Sequence, residues 1–218
     1  MRFVCSYSGG KDSVLALYRA MQAGHEPTAL LVTCDANHRH SWFHNIPYSL
    51  LEKVAKALGI PLLRVETQGE CYADDFEQAL RQYHSEGVDM CVFGDIDIEE
   101  HYDWCHSRCA HIGVESCFPL WGEPRPTLTT AFLEAGFSAM ITVVDTSRMN
   151  ARYVGQVLTP EFIARIASEG VDVSGEQGEY HTFVFDGPLF AKRIHFSVGQ
   201  PQFMGHHVRV SIGQSINR

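Results

Sequence analysis

Six consecutive residues near the start of the chain have the composition of a phosphate-binding turn. They are Ser8, Gly9, Gly10, Lys11, Asp12 and Ser13. An apolar run that predicts a buried strand precedes them, and apolar residues at helical spacing follow them. Backbone N–H groups converge where a strand turns into a helix, and the helix dipole attracts an anion there. The glycines let a ligand approach the backbone and Lys11 adds a positive charge, although an ordinary glycine-rich turn is the alternative interpretation.

The first two-thirds of the chain alternates between predicted strands and helices. The predicted strands span residues 2–7, 28–33, 61–65 and 88–93, and the predicted helices span residues 13–21, 47–58 and 72–86. This alternation predicts a Rossmann-like α/β fold, in which a parallel sheet has helices on both faces. Ligands of such sheets bind beyond the carboxyl ends of the strands. The six-residue turn lies at one of these ends.

Two further segments follow predicted strands. Gly94 and Asp95 come after the fourth strand and before an acidic segment. Asp95 could be a helix N-cap, but beside the phosphate-binding turn a role facing a ribose or a metal is the better hypothesis. Residues 35–46 form a long loop without clear periodicity that contains His38, Arg39 and His40. Such a loop can be a lid that contacts an anionic ligand, or it can simply be solvated.

The last third of the chain begins after a proline-rich segment. Pro124 and Pro126 interrupt regular structure, so we predict one domain of residues 1–122 and a smaller α+β domain of residues 123–218. Helices are predicted at residues 127–135 and from residue 160, and strands at residues 139–144, 183–185, 193–198 and 207–212.

A second candidate site lies in residues 175–182 of the smaller predicted domain. Its chemistry-bearing residues are Glu176, Gly178, Glu179, His181 and Thr182. The glycines allow a ligand to approach the main chain, and the two carboxylates can bind a cation, an amine or a metal. A polar loop that leads into a strand is the alternative interpretation.

Composition limits the classes of function. The chain has 218 residues, of which 45% are hydrophobic and 20% are charged, as in ordinary globular proteins. A net charge of −9 argues against extended nucleic-acid binding. No apolar run approaches the ~20 residues of a membrane span, and Met1 leads directly into a predicted strand, so we expect no membrane segment, no signal peptide and a cytoplasmic location.

Seven cysteines in such a chain suggest reduced thiols. Cys5 and Cys91 lie in predicted strands and are expected in the core. Cys105 and Cys109 lie near several histidines and could hold a metal. We favour the interpretation without a metal, because the chain has no Cys-x-x-Cys pair and a single helix cannot surround a zinc ion.

These motifs together resemble one family of nucleotide-dependent enzymes. Residues 8–13 resemble the loop of the PP-loop ATP pyrophosphatases rather than the common P-loop, because Asp12 stands where that loop has Ser or Thr. Within that superfamily the chain resembles the diphthine–ammonia ligase family and its bacterial relatives. The resemblance covers nearly the whole chain in order, at residues 8–13, 42–44, 94–96, 119–121, 175–179 and 186–189.

The resemblance implies a fold of the adenine nucleotide alpha hydrolase type and a two-step amidation. A substrate carboxylate attacks the α-phosphate of ATP to give an acyl-adenylate and pyrophosphate, and ammonia then displaces AMP. ATP would be bound by Ser8, Gly9, Gly10, Lys11, Asp12, Ser13, Gly94 and Asp95, with Mg²⁺ held by Asp12. The resemblance assigns catalysis to Lys11, Asp12, Glu176, Glu179 and His181, and substrate contacts to His44, Trp121, Gly178 and Thr182.

Two departures from the family pattern affect the acceptor. His181 and the segment of residues 101–106 both differ from the pattern of diphthamide-pathway members. The resemblance therefore implies as acceptor either diphthine on elongation factor 2 or a small carboxylate, such as a corrinoid in bacterial cobalamin salvage. A tRNA-thiolating enzyme is disfavoured by the acidic charge, whereas a non-catalytic nucleotide sensor and a homodimer both stay open.

Overall fold

The computed structural model describes residues 1–35, 40–41, 44 and 46–214. His38, Arg39 and Trp42, which belong to the predicted loop and to one family motif, lie outside the described residues. The chain forms two sheets. The first is built by residues up to Cys117 and the second by residues from Ser138 onward.

The first sheet confirms the predicted parallel arrangement. Its strands are β1 (Arg2–Ser6), β2 (Glu26–Asp35), β3 (His40–Ser41), β4 (Leu62–Thr67), β5 (Met90–Val92) and β6 (Glu115–Cys117). β2, β1, β5 and β6 lie side by side in parallel, and β4 is also parallel to β2. β3 pairs antiparallel with the end of β2, at Cys34 and Asp35. The short strands β3 and β6 were not predicted from the sequence.

Helices cover both faces of this sheet, as predicted. They are α1 (Lys11–Gln22), α2 (Tyr48–Leu58), α3 (Tyr72–Ser85) and α4 (Glu99–Ala110). Because successive strand residues point to opposite faces, Phe3 and Cys5 of β1 join the core beneath α1 and α2, whereas Val4 joins the core beneath α3 and α4. Gly59 ends α2 in the left-handed conformation with a φ of 69°, as its position after the apolar pattern predicts.

The second sheet is antiparallel. Its strands are β7 (Ser138–Asp145), β8 (Tyr180–Asp186), β9 (Phe196–Met204) and β10 (His207–Gln214), in the order β8-β7-β10-β9. It is accompanied by α5 (Arg125–Glu134) and α6 (Pro160–Ser168). α5 begins two residues earlier than predicted, and Pro126 falls in its first turn. Backbone N–H groups in the first turn have no partner within the helix, so a proline there costs no hydrogen bond. β9 begins later than predicted and extends further.

One hydrophobic core continues from the first sheet into the second. Tyr18 of α1 meets Phe137, just before β7, edge to face with ring centroids 5.4 Å apart. Cys5 and Cys91 are fully buried, as predicted for core residues, and all seven cysteines are free thiols. In the described part of the chain, no helix is long and apolar enough to cross a membrane.

The strand order creates a crevice at the carboxyl ends of β1 and β5. β1 lies between β2 and β5, and the chain leaves β1 toward β2 but leaves β5 toward β6. The connections therefore diverge between the two strands, which is where ligands of open α/β sheets bind. The turn of residues 8–13 follows β1, and Gly94 and Asp95 follow β5, so the fold brings both segments to this crevice.

We predict that Gly94→Ala disrupts this junction. A Cβ at residue 94 would lie 2.8 Å from the backbone carbon of Asp12 and from the backbone nitrogen of Ser13, so β5 and α1 must separate. Overpacking of this kind costs about 1–3 kcal/mol. In a chain of this size the Tm should fall by roughly 2–4 °C per kcal/mol. Thermal unfolding followed by circular dichroism measures the change.

The matched control is Gly213→Ala. A Cβ at Gly213 would lie 3.4 Å from the Ser197 hydroxyl oxygen, which is an ordinary van der Waals contact. We expect the Tm of this variant to stay close to that of the wild type. Equal Tm values for the two alanine variants would contradict the close packing at Gly94.

Candidate active site

The glycine-rich turn is held by its own serines. The Gly10 N–H donates to Ser8 Oγ at 3.2 Å, the Ser8 hydroxyl donates to Ser13 Oγ at 3.2 Å, and the Ser13 hydroxyl donates to the Gly10 carbonyl at 3.0 Å. Gly9 has a φ of 82°, which side chains other than glycine rarely adopt. These bonds turn the chain from β1 into α1, which begins at Lys11.

Strand β8 of the second sheet is bonded to this turn. The Thr182 hydroxyl accepts the Lys11 N–H at 3.0 Å, and the Val184 N–H donates to the Gly9 carbonyl at 2.9 Å. His44 adds a third contact, since its Nδ1 lies 3.0 Å from the Thr182 carbonyl oxygen, an arrangement in which Nδ1 carries the proton. We call the two bonds between the turn and β8 the β8 clasp.

A cavity of 570 Å³ opens between the turn, β5 and residues 174–182. Eleven of the residues that the sequence predicts for the site line it: Ser8, Lys11, Asp12, Ser13, His44, Gly94, Asp95, Glu176, Gly178, His181 and Thr182. The two segments proposed from the sequence, which are more than 150 positions apart, are therefore walls of one cavity.

Four predicted site residues do not line the cavity. Gly9 and Gly10 lie within the turn, and a Cβ at Gly10 would come within 2.5 Å of the His44 ring. Glu179 is buried, and its carboxylate accepts the Gln177 N–H at 3.1 Å. Trp121 packs against Tyr102, with ring centroids 4.6 Å apart. These residues shape the surroundings of the cavity.

A buried cation lies beside an acidic cluster in the cavity. The Lys11 side chain is 4% exposed, and its Nζ lies 2.7 and 2.8 Å from the two carboxylate oxygens of Asp12. Burial raises the pKa of Asp95, and the nearby Asp12 carboxylate adds to that effect while His101 opposes it. The cavity thus has one ammonium group among carboxylates that repel one another.

Glu176 has the most strongly displaced carboxyl pKa in the cavity. Burial raises the pKa of Glu176 to about 8, helped by the Asp12 and Asp95 carboxylates and opposed by Lys11 and Arg125. Glu176 is therefore largely protonated at neutral pH and gives up its proton under mildly basic conditions. A group with such a pKa can both hold and release a proton during a reaction.

Two neutral imidazoles face the same cavity. Burial, together with the neighbouring His44 and Lys11, lowers the pKa of His181 to about 3. Burial likewise lowers the pKa of His44 to about 4, with Lys11 acting in the same direction. The two ring centroids are 4.8 Å apart. Because both rings are uncharged at pH 7, each can accept a hydrogen bond at its unprotonated nitrogen.

The described residues contain no group of three or more histidine, cysteine, aspartate or glutamate side chains placed to hold a metal ion. Cys105 instead points its thiol toward Asp95 Oδ2 at 3.8 Å, and Cys109 is buried. Mg²⁺ commonly uses one or two carboxylates together with phosphate oxygens and water. Asp12, which lies on the turn and lines the cavity, has the right chemistry for that kind of site.

Sequence reasoning missed several residues around the cavity. Tyr7 is buried, and its hydroxyl has no hydrogen-bond partner among the described residues. Tyr72 bonds to Thr33 at 3.1 Å, and His101 lies 3.5 Å from Asp95. Tyr7 is the last residue of the predicted strand of residues 2–7, at the end where ligands bind, which could have identified it. Tyr72 and His101 lie on helices, and only the packing of those helices brings them to the cavity.

We predict that Thr182→Val weakens the β8 clasp. Valine has nearly the same shape as threonine but cannot accept the Lys11 N–H, and a buried donor without a partner costs about 1–3 kcal/mol. Denaturant unfolding measures the loss.

Thr142→Val is the matched control, because the buried Thr142 hydroxyl donates to the His181 carbonyl away from the turn. Hydrogen exchange at Lys11 should speed up only in Thr182→Val, and equal exchange in both variants would contradict the clasp.

Glu176 should make stability depend on pH. Its pKa is raised from 4.5 in the unfolded chain to about 8 in the folded protein, so the stabilising proton is retained at low pH and lost as pH rises through about 8. The Tm should therefore fall from about pH 4.5 to about pH 8 and level off above that, and it should fall less steeply in Glu176→Gln. Glu134→Gln, at an exposed site on α5, should follow the wild type. Parallel curves for wild type and Glu176→Gln would disprove the raised pKa.

Comparison with known proteins places this geometry in a family. A family model described as the diphthamide synthase N-terminal domain matches residues 1–116, and one described as the diphthamide synthase C-terminal domain matches residues 125–214. The diphthine–ammonia ligase of Danio rerio is 28% identical, over 89% of this chain and 86% of that protein. The human diphthine–ammonia ligase is 25% identical, over 89% of this chain and 82% of that protein.

Among solved structures, the chain is similar to a predicted subunit of tRNA methyltransferase from Methanocaldococcus jannaschii. The TM-score is 0.49 and the identity 18%, with 89% of this chain and 100% of that chain covered. The two family models match both sheets and both walls of the cavity, and they confirm the resemblance found in the sequence motifs. The chain belongs to the diphthamide synthase family.

Proposed function

We propose that this protein is an ATP-dependent ligase that forms an amide from a substrate carboxylate and ammonia. The observation that supports this most is the single cavity between the glycine-rich turn and residues 174–182. One wall has the donors and the cation that a polyphosphate needs, and the other has the carboxyl and imidazole groups that an amidation needs. The diphthine–ammonia ligases similar to this chain support the same reaction class.

The proposed reaction has two steps. An oxygen of the substrate carboxylate attacks the α-phosphorus of ATP, the bond to the bridging α–β oxygen breaks, and pyrophosphate leaves with the electron pair. The product is an acyl-adenylate. The nitrogen of ammonia then attacks the acyl carbon, AMP leaves, and one proton is released to a base. Both leaving groups are anions, so stabilisation of phosphate charge supports both steps.

Residues of the turn would assist the first step. Lys11 can pair with the departing phosphates. The hydroxyls of Ser8 and Ser13 beside it would donate to a phosphate by leaving their partners within the turn. Lys11 is bonded to Asp12, so a phosphate would compete with that carboxylate for the ammonium group. Gly94 and Asp95 would contact the nucleotide at the end of β5. Mg²⁺, when held by Asp12 and phosphate oxygens, supplies additional charge neutralisation.

Residues of the opposite wall would assist the second step. Glu176, whose pKa is raised to about 8, is largely protonated at neutral pH, and in its ionised form it would bind an ammonium ion and accept the proton that amide formation releases. The neutral imidazole of His181 provides a hydrogen-bond acceptor on the same wall. Glu179 would act by holding the Gln177 N–H rather than by touching substrate, and His44, Gly178 and Thr182 would contact substrate from the cavity wall.

The acceptor is either diphthine on a translation elongation factor or a smaller carboxylate such as a corrinoid. His181, which departs from the pattern of diphthamide-pathway members, lies on the cavity wall and would touch whichever acceptor enters. The cytoplasmic location, the division at residue 122 and the homodimer stay predictions.

The test is the fate of ATP with ammonium and each candidate acceptor. We expect AMP and pyrophosphate in amounts equal to the amide formed, and only with the true acceptor. ADP and phosphate would overturn the adenylation step. Tight ATP binding without turnover for any acceptor would favour a nucleotide sensor. Liquid chromatography of the nucleotides and mass spectrometry of the acceptor measure both products.

Lys11→Met should weaken ATP binding. Loss of a charge-assisted hydrogen bond costs about 1.5–3 kcal/mol, which corresponds to a roughly 10–100-fold rise in the Kd for ATP. Titration calorimetry measures it, with Lys192→Met at an exposed loop position as the control. An unchanged Kd in Lys11→Met would mean that the turn does not bind the phosphates.

A further inference from the structure

Arg125 connects the segment that carries Asp95 to the segment that carries Glu176. It begins α5, and its Nε and Nη2 donate to the two carboxylate oxygens of Asp97 at 2.7 and 2.8 Å. Its Nη1 donates to Asp172 Oδ2 at 2.5 Å. Asp97 lies two residues after Asp95, and Asp172 lies four residues before Glu176. One guanidinium thus joins the segment after β5 to the segment before β8.

A chain of hydrogen bonds continues from Arg125 to Glu176. Asp172 Oδ1 accepts both the N–H and the hydroxyl of Ser174 at 2.9 Å, and Ser174 Oγ accepts the Glu176 N–H at 3.3 Å. Burial acts to raise the pKa of Asp172, but the bonds from Ser174 and Arg125 outweigh it and lower the pKa, so Asp172 remains ionised. The conformation of the Glu176 backbone therefore depends on the Asp172 carboxylate, of which Arg125 bonds one oxygen and Ser174 the other.

Neighbouring bonds hold the same segment from the other side. The Val173 carbonyl accepts the hydroxyls of Thr129 at 3.2 Å and of Tyr180. Thr129 lies one helical turn after Arg125 on α5, so the helix contacts this segment at two successive turns. Arg125 itself does not line the cavity, and its side chain is 21% exposed. It can influence chemistry in the cavity through the residues that it holds and through its charge, which acts to lower the pKa of Glu176. A lysine at residue 125 keeps that charge, so it separates the two effects.

We propose that Arg125 is a positioning residue for the amide-forming site, because it fixes the segment of Asp95 relative to the segment of Glu176. This inference rests on the proposed function. A guanidinium is planar and offers donors in fixed directions, so it can bond two carboxylates at once. Lysine keeps the charge but is a single flexible point donor. The structure thus assigns the role to the shape of Arg125 as well as to its charge.

The test compares Arg125→Lys, Arg125→Met and Asp172→Asn with the wild type. We expect the kcat for amide formation to fall at least tenfold in all three variants, while the Kd for ATP stays within about threefold, because the glycine-rich turn is not touched. Hydrogen exchange at residues 174–177 should speed up in the same variants. The Tm of each variant shows whether it is folded.

Arg152→Lys is the matched control. Arg152 also bonds two partners, Glu169 and Tyr153, each at 2.7 Å, but it lies away from the cavity. We expect its kcat and its exchange at residues 174–177 to equal those of the wild type. Wild-type kcat and exchange in Arg125→Lys would overturn the proposal, because charge alone would then suffice.

Failure of the proposed function has a different signature. It would be seen as a lack of AMP in the wild type with every acceptor. In that event the exchange at residues 174–177 still decides the structural part of the inference. Faster exchange in both Arg125→Lys and Asp172→Asn supports positioning by Arg125, and unchanged exchange in either overturns it.

Discussion

The β8 clasp is the interaction on which the site depends. Two hydrogen bonds join the glycine-rich turn that follows β1 to β8, an edge strand of the second sheet. The Lys11 N–H donates to the Thr182 hydroxyl, and the Val184 N–H donates to the Gly9 carbonyl. A parallel sheet can bring a phosphate-binding turn to its edge by itself. The β8 clasp places His181 and the acidic loop before it opposite that turn. The cavity lies between the turn and this loop.

Burial then gives the groups in the cavity their chemistry. Lys11 is a buried cation paired with Asp12. Burial, helped by the Asp12 and Asp95 carboxylates, raises the pKa of Glu176 to about 8. The imidazole of His181 is kept neutral by burial and by the same cation. An arriving polyphosphate would compete for Lys11 and change the field on every one of these groups. The glycine-rich turn and the opposite wall of the cavity are thus electrostatically coupled.

Local patterns predicted much of this molecule, and the limits have physical causes. The parallel sheet follows from alternating strand and helix patterns, and the turn after β1 follows from residue types that only such a turn needs. A three-residue strand such as β6 is too short to show an alternation of apolar and polar residues. Such a strand forms because a neighbouring strand of the sheet pairs with it. Arg125 was missed because its partners, Asp97 and Asp172, are distant in sequence. Glu179 was expected to face substrate, yet its carboxylate holds its own loop.

The measurement that tests the central claim most directly follows the oxygen atoms of the acceptor. An acceptor labelled with ¹⁸O in its carboxylate is turned over with ATP and ammonium, and the AMP is examined by mass spectrometry. If the carboxylate attacks the α-phosphorus in this cavity, each AMP gains one ¹⁸O atom, because the oxygen that formed the acyl-adenylate leaves with AMP. Unlabelled AMP, or label found in inorganic phosphate, would contradict the account.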